Sequence, residues 1–368
     1  MKTFTIAVIP GDGVGQEVVP QARRVLERVA QKHNVAFAFQ DFEWGAAHYF
    51  RWGKMMPAGA IDLLQPCDAI LLGAVGHPEI PDHTTLNGLL LPIRRAFDLY
   101  ANVRPAYLYP GVTSPLAGRA GGEIDLVIVR ENTEGEYAQV GGFVYMAQPE
   151  EVAVQTSVFT RRGVERVVRY ACQLAVKRNK KKRLTSITKS NAQGYSMALW
   201  DRVFQEVTAE FPEIETESLL VDAAAMDMVR RPQDFDVIVA SNLFGDILSD
   251  VAAIIVGSMG LAASGNIDPE RRFPSMFEPV HGSAPDIAGK GLVNPLAAIL
   301  SASMMLEHLE LGAAAREVEQ AVAAALAEGK VRTPDLGGAS TTQEMTDAVL
   351  DKMADVQHTD VRDAYGAT

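Results

Sequence analysis

Short β-branched runs recur along the chain, each followed by a longer stretch whose apolar residues keep helical spacing. "TFTIAVI" leads into "GQEVVPQARRVLERVAQKH", "DAILLGAV" precedes a loop and then "LLLPIRRAFDLY", and "RLTSITKS" is followed by "MALWDRVFQEVTAEF". "ETESLLV" gives way to "DAAAMDMVRR", and "FDVIVA" to "SNLFGDILSDVAAIIVG". "IDLVIV" opens a β-rich insert, after which Thr160 is placed to cap "RRGVERVVRYACQLAVKR", where Val164, Val167, Val168, Ala171, Leu174 and Ala175 keep helical spacing. This alternation predicts an α/β fold with a largely parallel sheet. The stretch from Asn132 to Thr160 breaks the rhythm. Its glycines and alternating apolar residues predict an extended hairpin whose unpaired edges call for cover by a partner subunit. The basic run "KRNKKKR", Lys177 to Arg183, reads as a solvated turn, and the polar tail beyond Gln357 as frayed.

At 368 residues the chain has length for two domains, on a prior of roughly 150 residues each. Hydrophobic residues make up 48% and charged ones 22%, as in a globular protein, and the net charge of −12 argues against nucleic acid or an anionic membrane surface as a partner. Cys67 and Cys172 imply no disulfide framework and fit a reducing compartment. The apolar run in "MKTFTIAVIPGDG" is too short for a signal peptide. "LVNPLAAILSASMML" is interrupted by Asn294 and Pro295 and falls short of the about 20 apolar residues a membrane span needs. The expectation is a cytoplasmic protein.

What ends each strand carries the chemistry. Gly11-Asp12-Gly13 ends the first and Gly73-Ala74-Val75-Gly76 another, while Arg130, Lys189, Asp222 and Asn242 close later ones. In open α/β sheets ligands bind outside the carboxyl ends of the strands, so these residues form a candidate site.

Asp246 and Asp250 lie four apart in an apolar segment, neighbours on one helical face. Two carboxylates held that close repel, the more so when buried, so a cation should sit between them or one should be protonated. Alone, the pair fits an exposed polar helix face as well as a metal site. Asp222, at another strand end, tilts the balance, and three carboxylates without His or Cys suit a hard ion such as Mg²⁺ or Mn²⁺. Arg94, Arg95 and Arg104 in "LPIRRAFDLYANVRP", together with Arg130, offer forks for a substrate carrying more than one carboxylate. Lys189 becomes a candidate general base beside a bound cation, which disfavours the ammonium form; Tyr137 completes the set. "GDGVGQE" has Gln16 where a dinucleotide fingerprint needs glycine, so the Rossmann pattern fails. "EPVHGSAPDIAGKGLVNP", Glu278 to Pro295, has the glycine and hydrogen-bonding content to wrap a nucleotide, but composition alone favours a plain surface loop. A metal-dependent lyase or hydratase without nucleotide, and a catalytically silent binding protein, are the competing classes at this point.

Taken together, "IPGDGVGQEV", "LGAVGHP", "YANVRP", "VRENTEGEYA", "TKSNA", "ASNLFGDILSD" and "FEPVHGSAPDIAGKGLVNP" resemble the β-decarboxylating dehydrogenases of (2R)-hydroxy acids, the family of isopropylmalate, isocitrate, homoisocitrate and D-malate/tartrate dehydrogenases. The resemblance runs from about Ile6 to about Thr341. It implies two α/β domains around a largely parallel twisted sheet that is not a Rossmann fold. Residues 1–100 and 257–368 would form the cofactor domain, and residues 101–256 the substrate, metal and dimerisation domain, with the arm 132–160 at the dimer interface. It assigns Arg94, Arg104, Arg130 and Asn191 to the substrate and Tyr137 and Lys189 to acid–base chemistry. It assigns Asp246 and Asp250, with Asp222 of the other subunit, to Mg²⁺ or Mn²⁺. Gly73, Ala74, Val75, Glu278, His281, Gly282, Ser283, Ala284, Asp286 and Asn294 are assigned to the cofactor. Lys189 would also cross from the partner, making the enzyme an obligate homodimer. Asp286 can accept from ribose hydroxyls and would repel a 2′-phosphate, which favours NAD over NADP, with Lys290 weakening the case. "RENTEGEYA", "FTRRGVERV" and "PERRFPSMFEPVHGSAPDI" look most like the D-malate/tartrate branch, whereas Asn87 stands where those enzymes tend to carry tryptophan. Leu89, Leu90 and Leu91 would line an alkyl pocket as in isopropylmalate dehydrogenase. The implied activity is NAD- and metal-dependent oxidative decarboxylation of D-malate or oxidation of tartrate, with 3-isopropylmalate as the alternative substrate.

Overall fold

A computed structural model describes residues 1–355. The predicted strands are present, and every segment expected to be helical contains a helix. In spatial order the main sheet runs β2 (Val35–Asp41), β1 (Lys2–Gly11), β3 (Ala69–Ala74), β12 (Ser275–Pro279), β11 (Ala263–Ile267), β4 (Ala101–Tyr107), β5 (Asp125–Glu131), β10 (Val237–Ala240), β8 (Arg183–Thr188) and β9 (Glu215–Leu220). β2, β1, β3 and β12 pair in parallel, as do β5, β10, β8 and β9. The two parallel blocks meet through antiparallel pairings of β12 with β11, β11 with β4, and β4 with β5. The first block draws its strands from both ends of the chain and the second from the middle.

Parallel strands covered by helices bury both faces and read as continuous apolar runs. On β1, Phe4, Ile6 and Val8 join the larger core cluster while Ala7 and Ile9 join the second, and β3 divides in the same way between Ala69 with Leu71 and Ile70 with Leu72. The strands β2, β4, β11 and β12 were not foreseen. β4 carries Asn102, Arg104 and Pro105, and β11 is "ASGNI". Pro105 is tolerated because β11 pairs with residues 101–103 only.

The hairpin forms as expected. β6 (Gly135–Val144) and β7 (Val152–Val158) make a separate antiparallel pair with an irregularity between Gly135 and Val140. Thr160 caps the helix Arg161–Arg178, its Oγ1 accepting from the Gly163 N–H at 2.9 Å. Glu134 steadies that cap by accepting from the Thr160 N–H and Oγ1, each at 2.8 Å. The basic run that follows is not a purely solvated turn. The Arg178 side chain is fully buried, 2.9 Å from Asp125 and 3.0 Å from Asp236, and Lys180 also pairs with Asp125. The charge run hides a buried ion network that composition alone does not separate from surface lysines. The tail beyond Gln357 lies outside the described residues. Among the described residues no helix is long and apolar enough to cross a membrane.

Removing one partner of a buried ion pair leaves the others uncompensated, at about 3–5 kcal/mol. Arg178→Ala should therefore lower the urea midpoint far more than Lys177→Ala, whose side chain is half exposed. His308 gives a pH signature. Burial, aided by Arg271, pushes its imidazole down to about 4 from 6.5. The unfolded chain takes up that proton first, so this contribution to stability is present above pH 6.5 and is lost as pH falls toward 4. Urea midpoints measured across that window should fall more steeply for the wild type than for His308→Gln.

Candidate active site

A cavity of about 160 Å³ opens at the carboxyl ends of β3 and β5, where ligands bind in sheets of this kind. It is lined by Gly73, Ala74, Val75, Arg94, Arg104, Arg130, Tyr137, Asp246, Glu278, His281 and Gly282, with Leu86, Leu90 and Leu91 along one wall. Larger cavities of about 310 and 650 Å³ lie along the helix Arg161–Arg178 and contain none of the residues singled out as site candidates. Leu86 and Leu90 belong to a π-helical turn, Leu86–Leu90, that runs into the helix Leu91–Ala96. Leu89, expected on the pocket wall, is instead fully buried in the second core cluster.

The arginines converge. Arg94, Arg104 and Arg130 are 3%, 7% and 2% exposed, so all three charges sit almost out of water. Arg94 donates to Glu278 at 2.9 Å, and its Nε is buried without a partner. Arg104 donates through Nε to Asn102 at 2.7 Å and through one terminal nitrogen to Asp246 at 3.1 Å and Ser249 at 2.7 Å. Arg130 forks onto Asn242 Oδ1 at 2.9 and 2.7 Å and pairs with Asp246. Burial, then repulsion from Arg104, pushes Arg130 down to about 9, and burial likewise lowers Arg104. Both remain cations at neutral pH.

Asp246 comes from the helix Asn242–Ile255, which approaches β5 closely because residue 245 is glycine. A Cβ there would lie 2.7 Å from the Arg130 Cβ. Burial raises the Asp246 carboxyl, but Arg130 and Arg104 outweigh it and hold the group below its usual range. Tyr137 donates to Asp246 Oδ2 at 2.8 Å, and burial followed by that carboxylate pushes the phenol up.

The cation required between Asp246 and Asp250 is, within one chain, a guanidinium: Arg104 lies 3.1 Å from the first and 3.9 Å from the second. Asp250 is the less compensated, and burial raises its pKa despite Arg104. Asp222 is elsewhere, in the first turn of the helix Val221–Arg230, where Lys189 donates to it and holds its carboxyl low. Lys189 is partly exposed, Asn191 exposed, and neither lines the cavity. Among the described residues no group of three His, Cys, Asp or Glu is gathered as a metal would need. One chain supplies two carboxylates from one helix face, an all-oxygen donor pair that suits a hard cation but leaves its shell incomplete.

The loop from His281 to Gly291 folds onto the first strand-to-helix turn. Val14 N–H donates to Ser283 O at 2.9 Å, and Gly13 has φ +52° with its absent Cβ 2.0 Å from that oxygen, so only glycine fits. Ala284 takes a left-handed φ of 37°. Burial lowers the His281 pKa; its Nδ1 lies 3.0 Å from Gly282 O and its Nε2 is buried without a partner. A neutral ring donating through Nδ1 leaves Nε2 an acceptor. Asp286 is exposed. Asn294 is committed internally, accepting from Leu296 N–H at 3.0 Å and donating to Asp335 at 2.9 Å, so it shapes the loop and the start of the next helix.

Several supporting residues were missed. Glu17 accepts from Gly289 and Gly291 N–H at 2.6 and 2.7 Å, and Asp12 from Ala46 and Gly76 N–H at 2.6 and 2.9 Å. Both stood inside the quoted "GDGVGQE", and an acid within a glycine turn was the available signal. Asn266 and Ser264, behind the arginines, had none beyond polarity in a short strand.

Comparison with known proteins agrees with this geometry. The sequence profile described as isocitrate/isopropylmalate dehydrogenase matches residues 5–349. A probable tartrate dehydrogenase/decarboxylase of Agrobacterium vitis is 49% identical over 355 residues, 96% of this chain and 99% of that one. A 3-isopropylmalate dehydrogenase of Thermobifida fusca is 49% identical over 354 residues, 96% of this chain and 99% of that protein. The crystal structure of isocitrate dehydrogenase from Methylococcus capsulatus superposes with a TM-score of 0.86 at 37% identity, covering 95% of this chain and 99% of that one. The chain is thus an enzyme of the isocitrate/isopropylmalate dehydrogenase family.

Proposed function

We propose that the protein catalyses NAD- and divalent-metal-dependent oxidative decarboxylation of a (2R)-hydroxy dicarboxylic acid, D-malate to pyruvate and carbon dioxide, with tartrate as a related substrate. The observation that carries the reading is the convergence of three nearly dry arginines on one cavity, opposed by two carboxylates, Asp246 and Glu278. Such a site favours a guest that brings negative charge, and the unpartnered Arg94 Nε is a donor waiting for an acceptor. The tartrate dehydrogenase/decarboxylase relatives support the same chemistry.

Arg94, Arg104 and Arg130 hold the two carboxylates of the diacid and fix its orientation. Asp246 and Asp250, joined by the partner subunit's Asp222, would hold Mg²⁺ or Mn²⁺. When bound, that ion supplies Lewis-acid polarisation of the C2 oxygen, and NAD supplies the hydride acceptor. The partner subunit's Lys189 takes the C2 hydroxyl proton. Tyr137, whose phenol is kept protonated by burial and by Asp246, returns a proton to C3 after carbon dioxide has left. The walls at Gly73 to Val75 and at His281 and Gly282 receive the cofactor, with Asp286 on its ribose, favouring NAD. Exclusion of water by closure of the two halves of the sheet protects the enolate stage.

The homodimer in this reading rests on exposed apolar surface. Phe143, Val144, Tyr145, Met146, Val152 and Val154 stand out on the arm, with Met226 and Val229 on one helix and Ile247 and Ile254 on another. Exposed apolar residues on neighbouring elements, the arm beside the helix Asn242–Ile255 and that helix beside Val221–Arg230, suit an interface. A second substrate reading has its own observation: Leu86, Leu90 and Leu91 line the cavity, as an alkyl group at C3 would need. Each buried methylene contributes only about 0.8 kcal/mol, so turnover of both D-malate and 3-isopropylmalate is compatible with one pocket. The Thermobifida fusca relative supports that breadth.

With NAD and Mn²⁺, D-malate should drive NADH formation that chelator abolishes, and a panel including L-tartrate and 3-isopropylmalate should rank the substrates. No turnover on any of them would overturn the proposal. Tyr137→Phe should lower kcat by about a hundredfold or more with a smaller change in KM, since proton transfer contributes about 10²–10⁴. Lys189→Ala and Tyr137→Phe subunits, each inactive as homodimers, should regain turnover when refolded together. Failure of that complementation, with heterodimers verified, would refute a site shared between subunits.

A further inference from the structure

Behind the arginines runs a chain of buried amides that no step above uses. Arg104 Nε donates to Asn102 Oδ1 at 2.7 Å, and Asn102 Nδ2 donates to Asn266 Oδ1 at 3.1 Å. Asn266 Nδ2 donates to Glu278 Oε1 at 2.9 Å, and Arg94 donates to the same oxygen at 2.9 Å. Asn102 and Asn266 are fully buried and stand directly opposite each other on β4 and β11. These are positions where a sheet would ordinarily place valine or isoleucine. Buried amides are costly unless satisfied, and every polar atom of this pair has a partner. Asn102 also donates to Ser264 Oγ at 2.8 Å; Asn266 also donates to Met276 O at 3.2 Å and accepts from Asn132 at 2.9 Å.

The polarity of the chain is set at both ends. A guanidinium can only donate and a carboxylate can only accept, so each amide must turn its oxygen toward Arg104 and its nitrogen toward Glu278. The path crosses β4, β11 and β12, the antiparallel seam between the two parallel blocks. It therefore connects an arginine on β4, the seam strand paired with β5 of one block, to one held against β12 of the other.

We infer that Asn102 and Asn266 are positioning residues that fix Arg104 and Arg94 relative to each other across the seam, setting the span over which the two carboxylates of the substrate are held. This rests on the diacid reading above. Neither asparagine lines the cavity, so each acts only through the arginines.

The test is calorimetric titration of the full-length protein with D-malate and Mn²⁺ in the absence of NAD, alongside steady-state kinetics. Hydrogen bonds to charged groups are worth about tenfold or more in an equilibrium constant. Asn266→Leu should raise the D-malate Kd and KM by about that factor and lower kcat less. The control is Asn132→Leu, which loses an amide bonded to the same Asn266 oxygen and to Leu99 O but lies off the path. It should lose comparable thermal stability while its Kd is little changed. In Asn266→Asp the new carboxylate faces Glu278, with Arg94 beyond it, and keeps the bonds accepted from Asn102 and Asn132. Its Kd relative to wild type should fall as pH is lowered from about 8 to about 5 and the new acid gains a proton to donate. This variant also serves if the leucine variant does not fold. Equal Kd increases in both leucine variants, tracking lost stability, would overturn the inference, as would an unchanged Kd in Asn266→Leu. Should the wild type take no diacid, the diacid reading falls, and a crystal structure of the Asn266 variant decides the inference separately. Displacement of the Arg94–Glu278 pair relative to Arg104 supports it; unmoved guanidiniums overturn it.

Discussion

Three guanidiniums held almost out of water around one cavity, Arg94 on a helix and Arg104 and Arg130 on sheet strands, are the constraint around which the rest is arranged. An isolated buried charge costs several kcal/mol after relaxation, and repulsion from Arg94 adds to the lowering of Arg104, as repulsion from Arg104 and Arg94 does for Arg130. Each is tolerable because a different element delivers a counter-group. Glu278 arrives on β12, Asp246 on the helix Asn242–Ile255, and Asn102 and Asn242 offer carbonyl oxygens. Gly245 is part of the same solution, since any side chain there would push the helix and its aspartate away from Arg130. The arrangement is compensated but not saturated, and what remains unmet is positive.

How much of this was legible follows from the kind of surface each residue meets. Strands buried on both faces, such as β1, β3, β5 and β10, announce themselves as apolar runs, and Arg130 stood out because it closes one of them. The seam did not. β4 and β11 bury Asn102, Ser264 and Asn266, so their hydrophobic pattern is broken where the sheet is most enclosed. Polarity in a short segment reads as loop unless its partners are known, and those partners are as many as 164 residues away in sequence. Arg178 misled for the converse reason, since a buried ion pair in a run of lysines looks like solvated charge. The capping role of Thr160 was legible because caps are local, whereas Leu89 and Leu86 exchange places between wall and core through one π-helical turn, a geometry that residue spacing does not report.

The aspartate pair illustrates where one chain stops being enough. Spacing alone demanded a cation near Asp246 and Asp250, and Arg104 meets that demand between them. Yet Arg104 serves Asp246 more closely than Asp250, and burial leaves the second carboxyl with a raised pKa. Asp222 and Lys189, which motif resemblance assigns to the same chemistry, instead satisfy each other at the exposed ends of other strands. Two partial sites on one chain, each holding part of the carboxylate set, are what the proposed sharing between copies would require. The exposed apolar arm gives the proposed assembly a basis that does not depend on the chemistry.

The side proposed for the cofactor is governed by the same economy of charge, with backbone taking the place of arginine. Asp12 and Glu17 sit in the first strand-to-helix turn and accept from the N–H groups of Ala46, Gly76, Gly289 and Gly291. Glycine-rich turns with free N–H groups commonly cradle phosphate. Here two of those donors are already engaged by Glu17, so the loop is held in shape by an internal anion rather than shaped around an external one. In the proposed reading, cofactor recognition then falls to groups the fold leaves uncommitted, the acceptor Nε2 of His281 and the exposed carboxylate of Asp286. A loop fixed before binding spares the ordering cost that association otherwise incurs, and in the proposed reading the closure that excludes water would then fall to the seam between the two halves of the sheet.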